Sequence, residues 1–441
     1  MDNIMAIAQM LSEELAQELQ AEAKMSAVER KVRRLLQEIG RQAVTTYIQA
    51  QEAAYPASET ACPHCEQQAK YVRRRPTQLW TMFGRLSVKR AYYLCAACSR
   101  GHYPLDRRLG LRPNALSAEL ERLAAMTGVA LPFGKGQQLF ADLTLVSLSD
   151  QTLAKAAQAY GRAVEQQEQA WTATAEDEDA LLLQQRTAQR PLRLYGAIDA
   201  TKVHTRDGAE HPWRDLKVGA WFVARGQPPR SPAGQWRIQA EDITYFTDIG
   251  PAAEFGSLLW ATGVQRQAQL ARELVFLGDG ADWIWQLVAE HFPQAVQILD
   301  WFHATEYLTP AAKTHLATED DQEVWVARMK QALWDGQLDH VIDTCRQLAR
   351  TADSNDPAWV AARYFDRNRR RMAYPLFRKQ GYQIGSGTIE SAAKQIGTLR
   401  MKVAGAIWNE DSARKVAKAR AAYLSDQWDD LAAIRELPLA I

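Results

Sequence analysis

A few acidic residues stand where phosphate chemistry needs them. Asp199 closes the apolar run Arg193–Asp199, within RLYGAIDATKVH, which reads as a buried strand ending on a carboxylate. A second run, ELVFLGD, climbs to Asp279 and is followed by Gly280. A third, AVQILDWF over 295–302, carries Asp300 and leads into His303. Much later, Glu390 lies in GSGTIESAAKQ, which reads as the first turns of a helix. A lone strand-end aspartate is ordinarily a turn or cap residue. Two of them joined by a helical glutamate can converge on a divalent cation. Mg²⁺ (or Mn²⁺) takes a few carboxylates and keeps positions open for phosphate and water. That set suits two-metal phosphoryl transfer on nucleic acid.

Four of the five cysteines form two pairs, Cys62-Pro-His-Cys65 and Cys95-Ala-Ala-Cys98. Two such knuckles around a strand-rich segment read as a tetrahedral structural Zn²⁺ site. The intervening QLWTMFGRLSVKRAYYLC alternates like a strand and breaks at Gly84, as a hairpin would. This predicts a zinc ribbon. His64 and His102 lie nearby but are surplus to four thiolates. Cys345 reads as a small buried apolar residue.

The acidic residues need a scaffold. Strands are expected to end at Asp199, to cover 215–224 and 236–248, to end at Asp279 and to cover 295–302. Helices are expected at 252–267 and 281–292. Strands in a row followed by strand–helix alternation make a mixed sheet with helices on both faces, ordered β-β-β-α-β-α-β-α. Residues 304–380 are helix-patterned throughout and read as an all-helical insertion before Glu390.

The formal net charge of +1 conceals an uneven distribution. Residues 66–112 hold eleven Lys/Arg against two Asp/Glu, and residues 363–420 fourteen against four. Either patch is a nucleic-acid surface or an ordinary solvated face. The first contains Arg73, Arg74, Arg75, Arg85, Lys89 and Arg90, with Trp80, Tyr92 and Tyr93 among them, which suits phosphate contacts. The second surrounds Glu390 with Lys394, Arg400 and Lys402, then Arg414, Lys415, Lys418 and Arg420. Between the ribbon and the core, 136–143 followed by 148–160 resembles a helix-turn-helix. Ser149 or Asp150 would cap its second helix, and Gln151, Thr152 and Lys155 would stand at the exposed start. An ordinary helical hairpin is the alternative. Val28, Val32, Leu35 and Ile39 give the N-terminal helices an apolar stripe, for packing within the chain or on a second protomer. The polar stretch 166–190 reads as a linker. No run is long and apolar enough to span a bilayer, and the N-terminus lacks a signal pattern.

Five segments, taken together and in order, carry a family resemblance: GAIDATKVH, DLKVGAWF (215–222), FLGDGADWIW (276–285), FPQAVQILDWFHATEYL (292–308) and IGSGTIESAAKQIGTLRMKVAGAIW (384–408). The chain resembles bacterial insertion-sequence transposases of the Kra and Lre types, distant relatives of Mutator-like transposases. The resemblance implies an α/β RNase H-like catalytic core whose DDE triad is Asp199, Asp279 and Glu390, interrupted by an all-helical insertion. The Asp300-x-x-His303 element is similar to the [CD]-x-x-H motif of Mutator-like and hAT-like transposases, where the histidine lies near the scissile phosphate. The alternative is an aspartate that fixes a histidine tautomer in the core. Trp408 matches the family pattern and is read as a core aromatic.

The expected layout is N-terminal helices (1–55), zinc ribbon (56–112), helix-turn-helix-like region (113–165), linker (166–190), first core part (191–303), insertion (304–380), and second core part with a basic C-terminal helix (381–441). The expected function is DNA transposition, with cleavage and strand transfer at the terminal inverted repeats and target DNA. The resemblance also implies a homodimer or higher oligomer and a prokaryotic, cytoplasmic, nucleoid-associated location. The alternatives are a repurposed DNA-binding protein that has lost catalysis, and an RNase H-like nuclease without strand transfer.

Overall fold

Alternating polar and apolar residues build the first sheet. Its strands are β1 (Glu59–Ala61), β2 (Gln68–Thr81), β3 (Gly84–Cys95) and β4 (Gly101–His102), antiparallel in the order β1-β2-β3-β4. The β2–β3 hairpin turns at Met82–Phe83, and Gly84 has φ +93°, a left-handed value that glycine adopts without strain. Leu79, Leu86 and Val88 point inward and pack with Ile48 of the Met25–Ala53 helix and with Leu105. In the computed structural model the described residues are 9–10, 12–13, 17, 24–112, 114–206, 212–227, 229–234, 237–349, 353–385 and 387–436. Most of 1–23, Trp236 at the expected start of a strand, Ser386 beside the glutamate helix, 350–352 of the insertion and the chain end beyond 436 lie outside them.

The chain divides into two compact units. One comprises 1–159 with 429–441, the other 160–428. The first unit holds the ribbon sheet and the helices Ala118–Ala130 and Phe133–Thr144, and the division falls inside the Asp150–Glu176 helix. The expected helix pair is present, with both helices longer than 136–143 and 148–160. Ser149 caps the second: its Oγ accepts from the Thr152 N–H at 3.1 Å. Val28, Val32, Leu35 and Ile39 are half-buried.

The expected linker is a correction. Residues 166–176 continue the Asp150–Glu176 helix, and Glu178–Thr187 is a further helix capped by Asp177. Its Ala, Gln and Glu residues are good helix formers. One face carries the burial: Ala175, with Trp171 and Leu181, packs on Trp260, Ala261 and Val264.

The second unit is a mixed α/β layer. Its strands are β5 (Arg193–His204), β6 (Trp213–Gln227), β7 (Arg237–Asp248), β8 (Glu273–Gly278) and β9 (Val296–Leu299), in the sheet order β7-β6-β5-β8-β9. β7–β6–β5 is antiparallel; β5–β8 and β8–β9 are parallel. The helices Ala252–Gln265, Asp282–His291 and Trp301–Glu306 follow β7, β8 and β9. The element order is therefore the expected β-β-β-α-β-α-β-α. Trp221 anchors the sheet core among Phe246, Phe276 and Phe292, and its indole N–H donates to Thr262 Oγ1 at 3.0 Å. Two of the strand limits that differ from expectation bear on the site. β5 runs past Asp199 to His204 because β6 keeps pairing with it, from Asp199↔Val218 to His204↔Trp213. β9 stops at Leu299, where Asp300 caps the next helix.

The segment expected as an insertion contains the helices Leu308–His315, Glu319–Trp334, Leu338–Ala349, Pro357–Asn368 and Tyr374–Lys379. Trp301 joins it to the core by edge contacts to Trp334 and Tyr374, both at 5.1 Å. Cys345 is buried there, and burial pushes its thiol up to about 12, so it behaves as an apolar residue. No described helix is long and apolar enough to cross a membrane.

Candidate carboxylate site and cysteine metal centre

The carboxylate site follows from strand register. The last β5–β8 pair is Ala197↔Leu277 and the last β8–β9 pair is Gly278↔Leu299. Two residues on from the first pair stand Asp199 and Asp279; one residue on from the second stand Asp279 and Asp300. Neighbours in one row of a sheet share a face. The three aspartates thus stand in a row just past the last parallel pairs of β5, β8 and β9, on the side where open α/β sheets bind ligands, although β5 itself continues along β6 to His204. Asp300 N–H still donates to the Gly278 carbonyl at 2.8 Å, which holds the row together.

Glu390 comes from the first turn of the Gly387–Ala393 helix, which packs on β5 and β6. A π-turn, Lys394–Thr398, follows it and lies directly on β5: a Cβ added at Gly397 would meet Thr201 Cγ2 at 2.2 Å. Gly397 is the residue that permits this approach.

His303 links the row to the glutamate. Its Nδ1 is 3.0 Å from Asp300 Oδ1 and 3.6 Å from Glu390 Oε1. Asp300 is fully buried, and its Oδ1 also accepts the His303 backbone N–H at 2.6 Å. The hydrogen bond that the ring donates to Asp300 raises the imidazole to about 9 against the opposing effect of burial, and the charges of Asp300, Glu390 and Asp279 add to the rise. At neutral pH the ring is therefore a cation among carboxylates. Burial raises the Asp199 carboxyl; the Ala200 N–H opposes this, while the charges of Asp279 and Glu390 reinforce it. Asp279 Oδ1 accepts from the Ala281 N–H at 2.8 Å. Ligand atoms of Asp300, His303 and Glu390 lie within 4.8 Å of one another; Asp199 and Asp279 do not join that group. Asp300 thus fixes the ring, as the tautomer reading of Asp300-x-x-His303 expects, and the same Nδ1 also faces Glu390.

The cysteine centre is tighter. The four sulfurs of Cys62, Cys65, Cys95 and Cys98 lie within 4.8 Å, with Cys62–Cys98 at 3.7 Å and Cys65–Cys95 at 3.6 Å. A tetrahedron with bonds of about 2.3 Å has edges of about 3.8 Å. The four could hold a structural metal such as zinc. The two knuckles are built alike. Cys62 N–H donates to the Gln67 carbonyl and Cys95 N–H to the Arg100 carbonyl, while Glu66 and Ser99 take left-handed φ of 63° and 57°. Backbone N–H groups of Cys98 and Ala97, with the Cys65 thiol, lower Cys95, while burial and the neighbouring sulfurs raise Cys65, so within this pair the first thiolate favours Cys95. His64 contacts Arg100, and His102 stacks on Tyr93.

The basic residues divide sharply by burial. Arg73, Arg85, Lys89, Gln151, Lys155, Lys394 and Lys402 are exposed, and Thr152 is half-buried in the helix cap. Arg74 is exposed but pairs with Glu52 at 3.3 Å. Arg75 stacks on Tyr92 at 3.8 Å. Arg90 and Arg400 correct the expectation of DNA contact. Arg90 is 3% exposed, ion-paired to Asp106 and stacked on Tyr103; Arg400 is 2% exposed against Trp408. Both sit on inward-facing positions, where a charge persists only with partners. The C-terminal helix Glu410–Leu424 is similar. Lys418 is buried on Glu168 (2.6 Å) and Asp248 (3.4 Å), Arg420 donates to the Gln395 carbonyl, and Arg414 to that of Ile249. Lys415 pairs with Asp411. Trp408 is a core residue, as expected, with its indole N–H on the Met401 carbonyl.

Sequence reasoning missed how the Pro357–Asn368 helix supports Asp279. Arg367 donates to the Gly280 carbonyl at 3.1 Å, and the Tyr364 ring lies where a Gly280 Cβ would be. The glycine after Asp279 was visible in the sequence, but its neighbour, 84 positions later, was not. No known protein-family model and no curated protein matches the chain.

Proposed function

We propose that this protein is a DDE-type DNA transposase with an RNase H-like core, acting on the ends of its own insertion sequence. The observation that carries the reading is the row Asp199–Asp279–Asp300 just past the last parallel pairs of β5, β8 and β9, with Glu390 and His303 beside it. The β-β-β-α-β-α-β-α order and the helices between Asp279 and Glu390 are what the resemblance requires. The donor set is all oxygen apart from one imidazole, which fits Mg²⁺ or Mn²⁺ and disfavours softer metals. Asp199, Asp279 and Glu390 would hold the cation, which when bound would neutralise charge on the attacking and leaving oxygens of a phosphodiester.

The chain's own residues supply the rest. Asp300 fixes the His303 ring through Nδ1, leaving Nε2 to donate to a phosphate oxygen. A cationic ring stabilises the charge that develops there. The ribbon, stapled by zinc, presents Arg73, Arg85 and Lys89 to phosphates, and Gln151, Thr152 and Lys155 stand at the start of the groove-reading helix. Two ends joined in one event call for at least a dimer.

The test is a binding titration beside a Mg²⁺-dependent cleavage assay on one end fragment. Asp199→Asn, Asp279→Asn and Glu390→Gln should each abolish cleavage and leave end binding near normal. Cleavage undiminished in all three removes the reading. Wild-type binding without cleavage favours a repurposed DNA-binding protein, and cleavage without strand transfer favours a nuclease.

A further inference from the structure

A cavity of about 580 Å³ opens beside the edge strand β9, lined by Gln297, Asp366, Arg367, Arg369, Arg370 and Arg371. Arg367 is in the last turn of the Pro357–Asn368 helix, where it also braces Gly280, and Arg369, Arg370 and Arg371 follow that helix. They differ in how their charge is balanced. Arg369 bonds Asp339 and Asp366, and Arg367 bonds Asp282 at 3.1 Å. No described carboxylate lies within ion-pair distance of Arg370 or Arg371. Arg370 is exposed. Arg371 is half-buried and held in place: Nε donates to Gln297 Oε1 at 2.8 Å, Nη1 to Asn368 Oδ1 at 3.0 Å, and its guanidinium stacks on Trp285 at 4.5 Å. Burial depresses its pKa. A guanidinium partly desolvated and braced by three neutral groups, with Asp282 acting on it only from beyond ion-pair distance, suits a phosphate through its planar fork.

Arg367 extends the site toward the carboxylates. It lines the same cavity and donates to the carbonyl of Gly280, the residue after Asp279. A polyanionic strand lying along Arg370, Arg371 and Arg367 would lead to the aspartate row.

We infer that this arginine cavity is a backbone-phosphate site for a DNA strand, separate from the ribbon and from the carboxylates. The inference rests on the proposed action on DNA, and it adds a binding site that the sequence resemblance does not name. Its contacts are with phosphates, so it holds any sequence equally.

The experiment uses the full-length zinc-loaded protein, EDTA-free buffer without Mg²⁺, and a duplex of arbitrary sequence. Affinity is followed by fluorescence anisotropy from about 50 to 300 mM salt. Each lost phosphate contact should make the log affinity–log salt slope shallower by about 0.9. Arg370→Ala, at an exposed side chain that cannot disturb folding, should flatten it by about 0.9. Arg370→Ala with Arg371→Gln should flatten it by about 1.8 and weaken binding roughly 10- to 60-fold at 0.1 M salt. Arg371→Lys should restore most of the slope but less of the affinity, because the ammonium lacks the fork. Wild-type slope and affinity in Arg370→Ala and the double variant overturn the site while leaving the transposase reading intact. A wild-type protein that binds no DNA overturns both.

Discussion

Replacing His303 by Gln removes a cation that faces Asp300, Glu390 and Asp279, and the effect should depend on pH in a defined window. The folded imidazole titrates at about 9, against an ordinary value of 6.5. Between these values the folded state binds more protons than the unfolded state, so stability falls as pH rises. The contribution is complete below about 6.5 and lost above about 9. The shift sets an upper bound of about 3.4 kcal/mol. The side chain is 33% exposed, so solvent screening brings the expectation to about 1–2 kcal/mol. Gln retains a donor for Asp300, whose cap bond to the backbone N–H at 303 does not depend on the side chain. Denaturant titrations read by tryptophan fluorescence, with zinc retained and no added Mg²⁺, should show wild type losing about 1–2 kcal/mol from pH 6.5 to 9.5. His303→Gln should start lower by that amount and stay flat between pH 7.5 and 9.5. Glu168 and Asp106, raised by burial to about 7 and about 6, titrate in the lower part of the range or below it. The stretch from 7.5 to 9.5 is therefore read mainly from His303. A variant that declines as steeply as wild type refutes the reasoning, as does an imidazole NMR titration centred near 6.5.

Three other perturbations probe the supports. With zinc in the cysteine centre as proposed, chelating it, or Cys95→Ser, should loosen the ribbon by several kcal/mol, seen as faster amide exchange in β2 and β3 and as released zinc. Lys418→Met strands Glu168 in the interior and should cost about 3 kcal/mol at pH 8, less at pH 6 where Glu168 takes up a proton; melting curves at the two pH values test this. Gly397→Ala drives a methyl into Thr201 and should cost about 1–3 kcal/mol while displacing Glu390, and pairing it with Thr201→Ser should recover part of the loss in the same melts.

Much of the second unit was legible because its strands are continuous apolar runs, and Asp279 and Asp300 stand where two of those runs stop. The continuation of β5 beyond Asp199 was not, since Lys202 and His204 are polar and only β6 pairs with them. Residues 166–190 looked like a linker because just one face of each helix is apolar, and Ala175 finds its partners in Trp260 and Ala261, 85 positions later. Charge was legible as a count but not as a location. Arg85 and Arg90 lie five residues apart on one strand, yet the odd step turns one to solvent and the other onto Asp106. The cysteine centre was the most legible feature because its ligands are local pairs whose spacing already implies their geometry. The brace on Gly280 was invisible, since it depends on a helix folded in from elsewhere.

The split of the carboxylates along the chain also sets an order in time. Asp199, Asp279 and Asp300 leave the ribosome early, but Glu390 arrives 90 residues after Asp300. Its helix reaches β5 only when a loop of nearly 190 residues closes, late among folding events. The Glu410–Leu424 helix, which buries Lys418 against Asp248 at the end of β7, must be made later still. A growing chain can therefore complete the ribbon while its carboxylate site is still unassembled, and the site becomes whole only once the chain has been made past the Glu390 helix.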